Sequence, residues 1–307
     1  MKLYPLNVIE FQDLFPTDRA CFEYLCLVRW PDGFVCPFCN SHESWKLKRY
    51  IVRCKKCKKD IPITAGTIFQ DLHISLRLIF QAMWYVVCQK QGVSALGLQS
   101  ILGVGSYETA WSWLHKLRTA MIRPGRDLLS ETVEVDETLV GGSQSGKRGR
   151  GAEGKELVLV AVEDQGKKGM GRIRLKHITD ASGKNLEIAI AGLVAPGSTI
   201  RTDGWKGYAG LTEKGYQHIV INHMENEPGE DPTPLVHRIA SLLKRWLLGT
   251  HQGGQQFSHL HYYLDEFVFR FNRRKSRSRG KLFYRLVQQA LQNEPITRVG
   301  LKVSPVA

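Results

Sequence analysis

The sequence predicts a multidomain α+β chain: a small cysteine-clamped ribbon, a short helical segment, then a mixed β-sheet with flanking helices. Three observations predict it. Two CxxC pairs, Cys36-Pro37-Phe38-Cys39 and Cys54-Lys55-Lys56-Cys57, lie close together near the N-terminus. Residues from about 74 to 122 carry helix-like apolar patterning broken at glycine-containing turns. From about Glu131 onward, β-branched and apolar runs take over. The expected divisions are 1–70 (helix plus ribbon), 71–128 (helix-turn-helix-like), 129–275 (sheet domain) and 276–307 (basic C-terminal tail).

Composition narrows the class of partner. A hydrophobic content of 43% and a charged fraction of 23% fit a globular chain with a packed core. The 43 Lys+Arg against 29 Asp+Glu leave a net charge of +14, which points to a polyanion, nucleic acid being the usual one. A basic solubility surface is the plain alternative. The opening Met1-Lys2-Leu3-Tyr4-Pro5 does not read as a signal peptide. The most apolar stretch, Ile74 to Val87, is short and carries Arg77 and Gln81, so it reads as a buried helix and not a membrane span. The expected location is a reducing cytoplasm, associated with the nucleoid of a prokaryote.

The elements follow in order. Residues from about 17 to 29 look helical and end at the turn Trp30-Pro31-Asp32-Gly33. The two CxxC pairs, 14 residues apart, match the four-thiolate tetrahedral spacing of a structural Zn²⁺ site: Cys36, Cys39, Cys54 and Cys57. Cys21, Cys26 and Cys88 fall on amphipathic helices and read as core residues. Ser94 and Ser106 are candidate N-caps of two successive helices, the second running from Tyr107 to Met121 and carrying His115, Lys116 and Arg118. DNA contact by this helix and a plain helical spacer are both open readings.

Strands are expected at Thr132–Val140, Glu156–Val162, Arg172–Ile178, Ser198–Thr202 and His218–Asn222, with a helix, Asn185–Leu193, between the third and fourth. Three strands, a helix, a strand, then more helices is the order of a ribonuclease-H-like mixed sheet. Between the first two strands, Gly141 to Lys155 offers Lys147, Arg148 and Arg150 to phosphates, or forms a merely solvated turn. Helices at Pro234–Leu248 and His259–Phe271 precede the basic run Arg273 to Arg279.

The chemistry concentrates in two acidic segments, Val133-Glu134-Val135-Asp136-Glu137-Thr138 and Ile200-Arg201-Thr202-Asp203-Gly204-Trp205. Each sets an aspartate at or near the end of a β-rich run, where carboxylates can share a metal. Mg²⁺ is hard and takes carboxylate and phosphate oxygens, and paired metals clamp the attacking and leaving oxygens of a phosphodiester. Strand-end or turn aspartates capping local amides are the alternative. On the helix from Pro234, the stripe Ile239, Leu242, Leu243, Trp246 and Leu247 faces a core. His237 and Lys244, seven residues apart, share the opposite side, where they either meet a scissile strand or stay solvated.

Several segments together resemble the ISXO-type insertion-sequence transposases. In the first half they are Phe15-Pro16-Thr17 through Cys21, Arg29-Trp30-Pro31-Asp32-Gly33, both CxxC pairs and Thr64-Ala65-Gly66-Thr67-Ile68-Phe69. In the second half they are Val135-Asp136-Glu137-Thr138 with Gly141-Gly142, Thr202-Asp203-Gly204-Trp205, Leu243-Lys244-Arg245, Gly249-Thr250-His251 and Tyr263-Leu264-Asp265-Glu266-Phe267 with Arg270-Phe271-Asn272-Arg273-Arg274. The resemblance implies a DDE-type catalytic domain that uses Mg²⁺ or Mn²⁺ to nick an element's end and then join its 3′-hydroxyl to target DNA. Asp136 and Asp203 match the first two acidic positions and Lys244 the lysine beyond the third. The third position, usually Glu in the superfamily, falls on His237; Asn or His is also found there in this group. Imidazole is a poorer Mg²⁺ ligand than carboxylate. Glu266 is the fallback third acid. Implied partners are double-stranded DNA (terminal repeats and target) and a second copy of the chain or more, with no membrane. Expected DNA contacts are Lys147, Arg148, Arg150, Lys244, Arg245, Arg273 and Arg274. Two other readings remain: a zinc-ribbon DNA-binding regulator with an inactive catalytic domain, and a metal-dependent nuclease without strand transfer.

Overall fold

The computed structural model describes residues 4–141, 155–221, 231, 233–251 and 257–302. The chain folds into two compact units: Met1–Gly125 with Lys275–Lys302, and Arg126–Arg274.

The first unit opens with helices α1 (Val8–Leu14) and α2 (Asp18–Arg29), each started by a side chain that accepts an N–H of the first turn: Asn7 from Glu10 and Thr17 from Ala20. A three-stranded antiparallel sheet follows, β1 (Ser44–Lys46), β2 (Ile51–Cys54) and β3 (Asp60–Pro62). Next come α3 (Leu76–Cys88), α4 (Ala95–Leu102) and α5 (Tyr107–Ala120). Ser94 caps α4 through the Gly97 N–H, whereas Ser106 makes no side-chain cap bond at α5. Gly103 closes α4 in the left-handed conformation that only glycine enters without cost.

Two sequence expectations change here. The α5 side chains offered to DNA are largely withdrawn, because α5 is packed by α9 (Arg279–Gln292) and α10 (Arg298–Lys302). His115 and Arg118 are buried, with the Arg118 guanidinium 3.4 Å from the His115 ring and reaching the Val93 carbonyl. The residues expected as a basic tail instead supply α9, whose Leu282, Phe283, Leu286, Val287 and Ala290 form a buried stripe. The Phe283 ring is met by Phe11, Phe15, Phe80 and Trp84 at 5.5 to 6.0 Å between centroids. A Cβ at Gly280 would stand 1.6 Å from the Pro5 carbonyl oxygen, so the start of α9 requires glycine.

The second unit is a five-stranded mixed sheet in the order β6-β5-β4-β7-β8. Its strands are β4 (Thr132–Gly141), β5 (Lys155–Asp164), β6 (Met170–Ile178), β7 (Thr199–Thr202) and β8 (Gln217–Val220). β4, β5 and β6 run antiparallel; β7 and β8 run parallel to β4. This is the ribonuclease-H-like order expected from the sequence. Helix α6 (Gly183–Ala191) covers one face, where Leu186 and Ile190 meet Val133, Val135, Leu159 and Ile200. Helices α7 (Pro234–His251) and α8 (Leu260–Asn272) cover the other, where Ile239, Leu243, Leu264 and Phe267 meet Val158, Val160, Val162 and Ile173.

Strand alternation then settles where the acids go. Val133 and Val135 face α6, so Glu134 and Asp136 must face α7. On that face their antiparallel neighbours are Val162 and Val160, so two carboxylates are set into an apolar sheet surface.

Candidate active site

Asp136 is 8% exposed. Its Oδ1 accepts the Glu137 N–H at 2.7 Å and its Oδ2 accepts the Thr233 hydroxyl at 3.1 Å. Burial pushes the carboxyl above its ordinary pKa, and the charges of Asp203 and Glu137 push the same way against those two hydrogen bonds. Asp203 follows the end of β7, where Oδ1 accepts the Trp205 N–H at 3.0 Å in a tight turn through Gly204, φ +82°. The parallel register pairs Glu134 with Arg201, so Asp136 and Asp203 each follow that pair by two residues, Asp136 within β4 and Asp203 just beyond β7.

The third element is the start of α7. His237 donates its N–H to the Thr233 carbonyl, and its ring sits between two acids. Nδ1 lies 2.7 Å from Asp231 and Nε2 lies 3.5 Å from Asp136 Oδ2. Two turns on, Lys244 lines the same cleft of about 450 Å³, with Asp136, Glu137, His237 and Ser241. Burial, and then the neighbouring Lys155 charge, lower the Lys244 pKa. Asp203 is not among the residues lining this cleft.

Glu134 escaped the sequence reading as a site residue. It is fully buried, and its Oε1 accepts the Val236 N–H at 2.7 Å, so β4 supplies a carboxylate to the positive end of α7. Its Oε2 has no hydrogen-bond partner among the described residues. Burial raises its pKa, while the α7 backbone N–H groups and Arg201 oppose the rise. Asp136, through Thr233, and Glu134, through Val236, thus fasten the same helix start and hold His237 one turn away. The available signal was the alternation Val133-Glu134-Val135-Asp136, which puts both acids on one strand face.

Other expected residues are placed as follows. Glu266 is fully buried and ion-paired to Arg270 within α8. Arg274 donates to the Gly171, Met170 and Phe271 carbonyls, and Arg273 lies over the Phe269 ring at 4.1 Å, so both are tied to their own unit. Arg245 is exposed on α7. Lys147, Arg148 and Arg150 lie outside the described residues.

Among the described residues, the group of three or more His, Cys, Asp or Glu whose ligand atoms lie within 4.8 Å of one another is Cys36, Cys39, Cys54 and Cys57. The Cys36–Cys57 and Cys39–Cys54 sulfurs are 3.6 Å apart. Tetrahedral Zn²⁺ with bonds of about 2.3 Å separates its sulfurs by roughly 3.8 Å, so the cluster fits zinc. The remaining thiols differ in kind: burial pushes Cys21 up to about 12 and Cys26 to about 11. At the acidic site, Asp136 Oδ2 and His237 Nε2 stand 3.5 Å apart, whereas Asp136, Asp203 and His237 do not form a group with all ligand atoms within 4.8 Å of one another. A buried carboxylate whose neighbouring charge is another carboxylate suits a hard cation.

A four-cysteine ribbon and a five-stranded mixed sheet in ribonuclease-H-like order, carried in one chain, are the two parts that the comparisons with known proteins address. Residues 128–272 match the ISXO2-like transposase domain and residues 16–60 match the transposase zinc-ribbon domain, the two domains that the resemblance to ISXO-type insertion-sequence transposases implies. It is 27% identical over 261 residues to an uncharacterized protein in transposable element ISH50 of Halobacterium salinarum, a match covering 78% of this chain and 86% of that one. A chain from the cryo-electron microscopy structure of the simian T-cell lymphotropic virus intasome, in complex with PP2A regulatory subunit B56 gamma, overlaps it at 16% identity. That overlap covers 62% of this chain and 74% of the other with a TM-score of 0.33, too slight to bear on fold or function. Among the described residues, no helix is long and apolar enough to cross a membrane.

Proposed function

We propose that the chain is a DNA transposase that nicks the ends of an insertion element and joins the freed 3′-hydroxyl to target DNA by metal-dependent phosphoryl transfer. The observation that carries this reading is the buried Asp136 on β4 beside His237 at the start of α7, with Asp203 just past the end of the neighbouring parallel strand β7. When bound, Mg²⁺ or Mn²⁺ supplies activation of the attacking oxygen and neutralisation of charge on the phosphorus oxygens. Asp136 and Asp203 hold that charge in place. His237 presents Nε2 to the site, its Nδ1 held by Asp231. Lys244 binds a non-bridging phosphate oxygen of the strand in the cleft.

In the first step a water oxygen bonds to phosphorus and the element's 3′-oxygen leaves, taking up a proton. In the second, that 3′-hydroxyl loses its proton and bonds to a target phosphorus, and the target's own 3′-oxygen leaves. Two ends and one target are joined, which requires at least a homodimer on double-stranded DNA, in the cytoplasm at the nucleoid. Lys147, Arg148, Arg150 and Arg245 are the cations proposed to follow its phosphates.

The test is a supercoiled plasmid carrying the DNA that flanks this gene, incubated with Mg²⁺ or Mn²⁺ and either the wild type or Asp136→Asn. Metal-dependent nicks and joined products, both lost in the variant, are expected. Nicks without joining would identify a nuclease, and binding without reaction a DNA-binding protein with an inactive catalytic domain. For His237, its alanine variant is expected to lose activity and its glutamate variant to alter metal preference. Full activity of the first with unchanged metal dependence of the second would remove His237 from the site.

A further inference from the structure

The ribbon carries an outer face that its zinc does not account for. On the inner face, Val52, Cys54 and Ile61 are buried. The strand register places Trp45, Arg53 and Asp60 in one row on the opposite face. Trp45 is 43% exposed there, and Phe38, in the first cysteine knuckle, is 56% exposed. Each ring is covered by an ammonium: Lys58 Nζ lies 4.5 Å from the Trp45 centroid and Lys59 Nζ 4.2 Å from that of Phe38. Lys58 adopts φ +62°, and this reversal after the second knuckle sends two consecutive lysines to two different rings. Of the eight Lys and Arg between positions 46 and 59, Arg53 is paired with Asp60 and Lys55 lies 3.7 Å from Glu43. Lys58 and Lys59 thus set positive charge against two exposed rings, whereas Lys46, level with Val52, belongs to the inner face.

Cations alone would suit the phosphates of any duplex. Exposed rings add something a closed duplex does not use, because its base faces are stacked on one another. A strand with unstacked bases offers both partners at once, phosphates for the ammoniums and flat faces for the rings. Resting on the reading that this chain acts on DNA, we propose that the outer face of the ribbon, through Phe38, Trp45, Lys58 and Lys59, binds a DNA strand whose bases are unpaired. Such a strand arises where a duplex is nicked and frayed at an end.

The experiment uses the full zinc-loaded chain without Mg²⁺ or Mn²⁺, and two fluorescent probes: a blunt duplex, and the same duplex with a short single-stranded overhang carrying 2-aminopurine. The wild type is expected to bind the overhang probe more tightly and to quench its 2-aminopurine. Trp45→Leu with Phe38→Leu keeps apolar bulk but removes both plates. It should retain zinc, lose about tenfold on the overhang probe, abolish the quenching and leave blunt-duplex affinity unchanged. Lys58→Gln with Lys59→Gln should weaken the overhang complex and flatten its salt dependence. Equal wild-type affinity for the two probes, or a preference and quenching that survive in the zinc-loaded leucine variant, would overturn the proposal while leaving the transposase reading standing. Failure to bind either probe would overturn both.

Discussion

Asp136 is held in a position that costs stability. An ionised carboxylate set into an apolar sheet face and repelled by the Asp203 and Glu137 carboxylates is disfavoured without a cation. Asp136→Asn keeps one oxygen for the Glu137 N–H and turns an amide N–H toward the Thr233 hydroxyl, which can accept it, yet removes the charge. The expected outcome is lost strand transfer together with a raised Tm in metal-free buffer at neutral pH, read by calorimetry; an unchanged or lower Tm would contradict it. Glu134 makes the converse case. Its truncation in Glu134→Ala frees the start of α7, whereas Glu134→Gln keeps an acceptor for Val236. A rise in the Mn²⁺ concentration for half-maximal nicking is expected for the alanine variant, with substantial recovery in the glutamine variant; loss of nicking at every Mn²⁺ concentration in both would assign Glu134 to the chemistry instead. The two aspartates were singled out because each sits in a short, distinctive segment. Glu134 was not, since its role exists only once Val236, 102 residues later, returns to the same strand.

At the scale of elements, amphipathic patterning located most helices and the β-branched runs located all five strands of the large sheet. The failures have a common cause. In α5, His115 and Arg118 look like a basic surface, yet 3.6-residue periodicity cannot say that a later helix will cover that surface. In α9, the preceding cations Arg273 to Arg279 drew the eye from the stripe of Phe283, Leu286 and Val287. Phe283 stands among four other rings with no exposed surface, so Phe283→Ala should destabilise the first unit by about 3–5 kcal/mol, measured by urea unfolding. A cost below about 1 kcal/mol would mean that the ring cluster does not support the unit. Zinc removal acts on a different element. The ribbon buries few apolar side chains beyond its cysteines, so chelation should unfold it. Circular dichroism should then report the sheet of the second unit intact; concerted loss of both would refute independent folding of the sheet.

For the whole molecule, the division into units sets what a deletion can test. The first unit is made from two stretches of chain, so a cut near Ser130 leaves α9 behind without its partners. A piece of residues 126–274 is the cleaner reagent. It should keep salt-steep DNA binding and lose selectivity for terminal repeats; selectivity retained in that piece would place end recognition in the catalytic unit.

The route of α9 also fixes an order of events in the cell. A ribosome completes residues 126–274 before it reaches Phe283, while the helices that await this ring have been out of the exit tunnel far longer. The sheet bearing Asp136 can therefore close on itself while the first unit still lacks α9 and α10. Translation that stops between those points, through a frameshift or a broken message, releases a catalytic unit attached to an unfinished first unit. The position of one phenylalanine thus ties completion of the first unit to translation well past the end of the second.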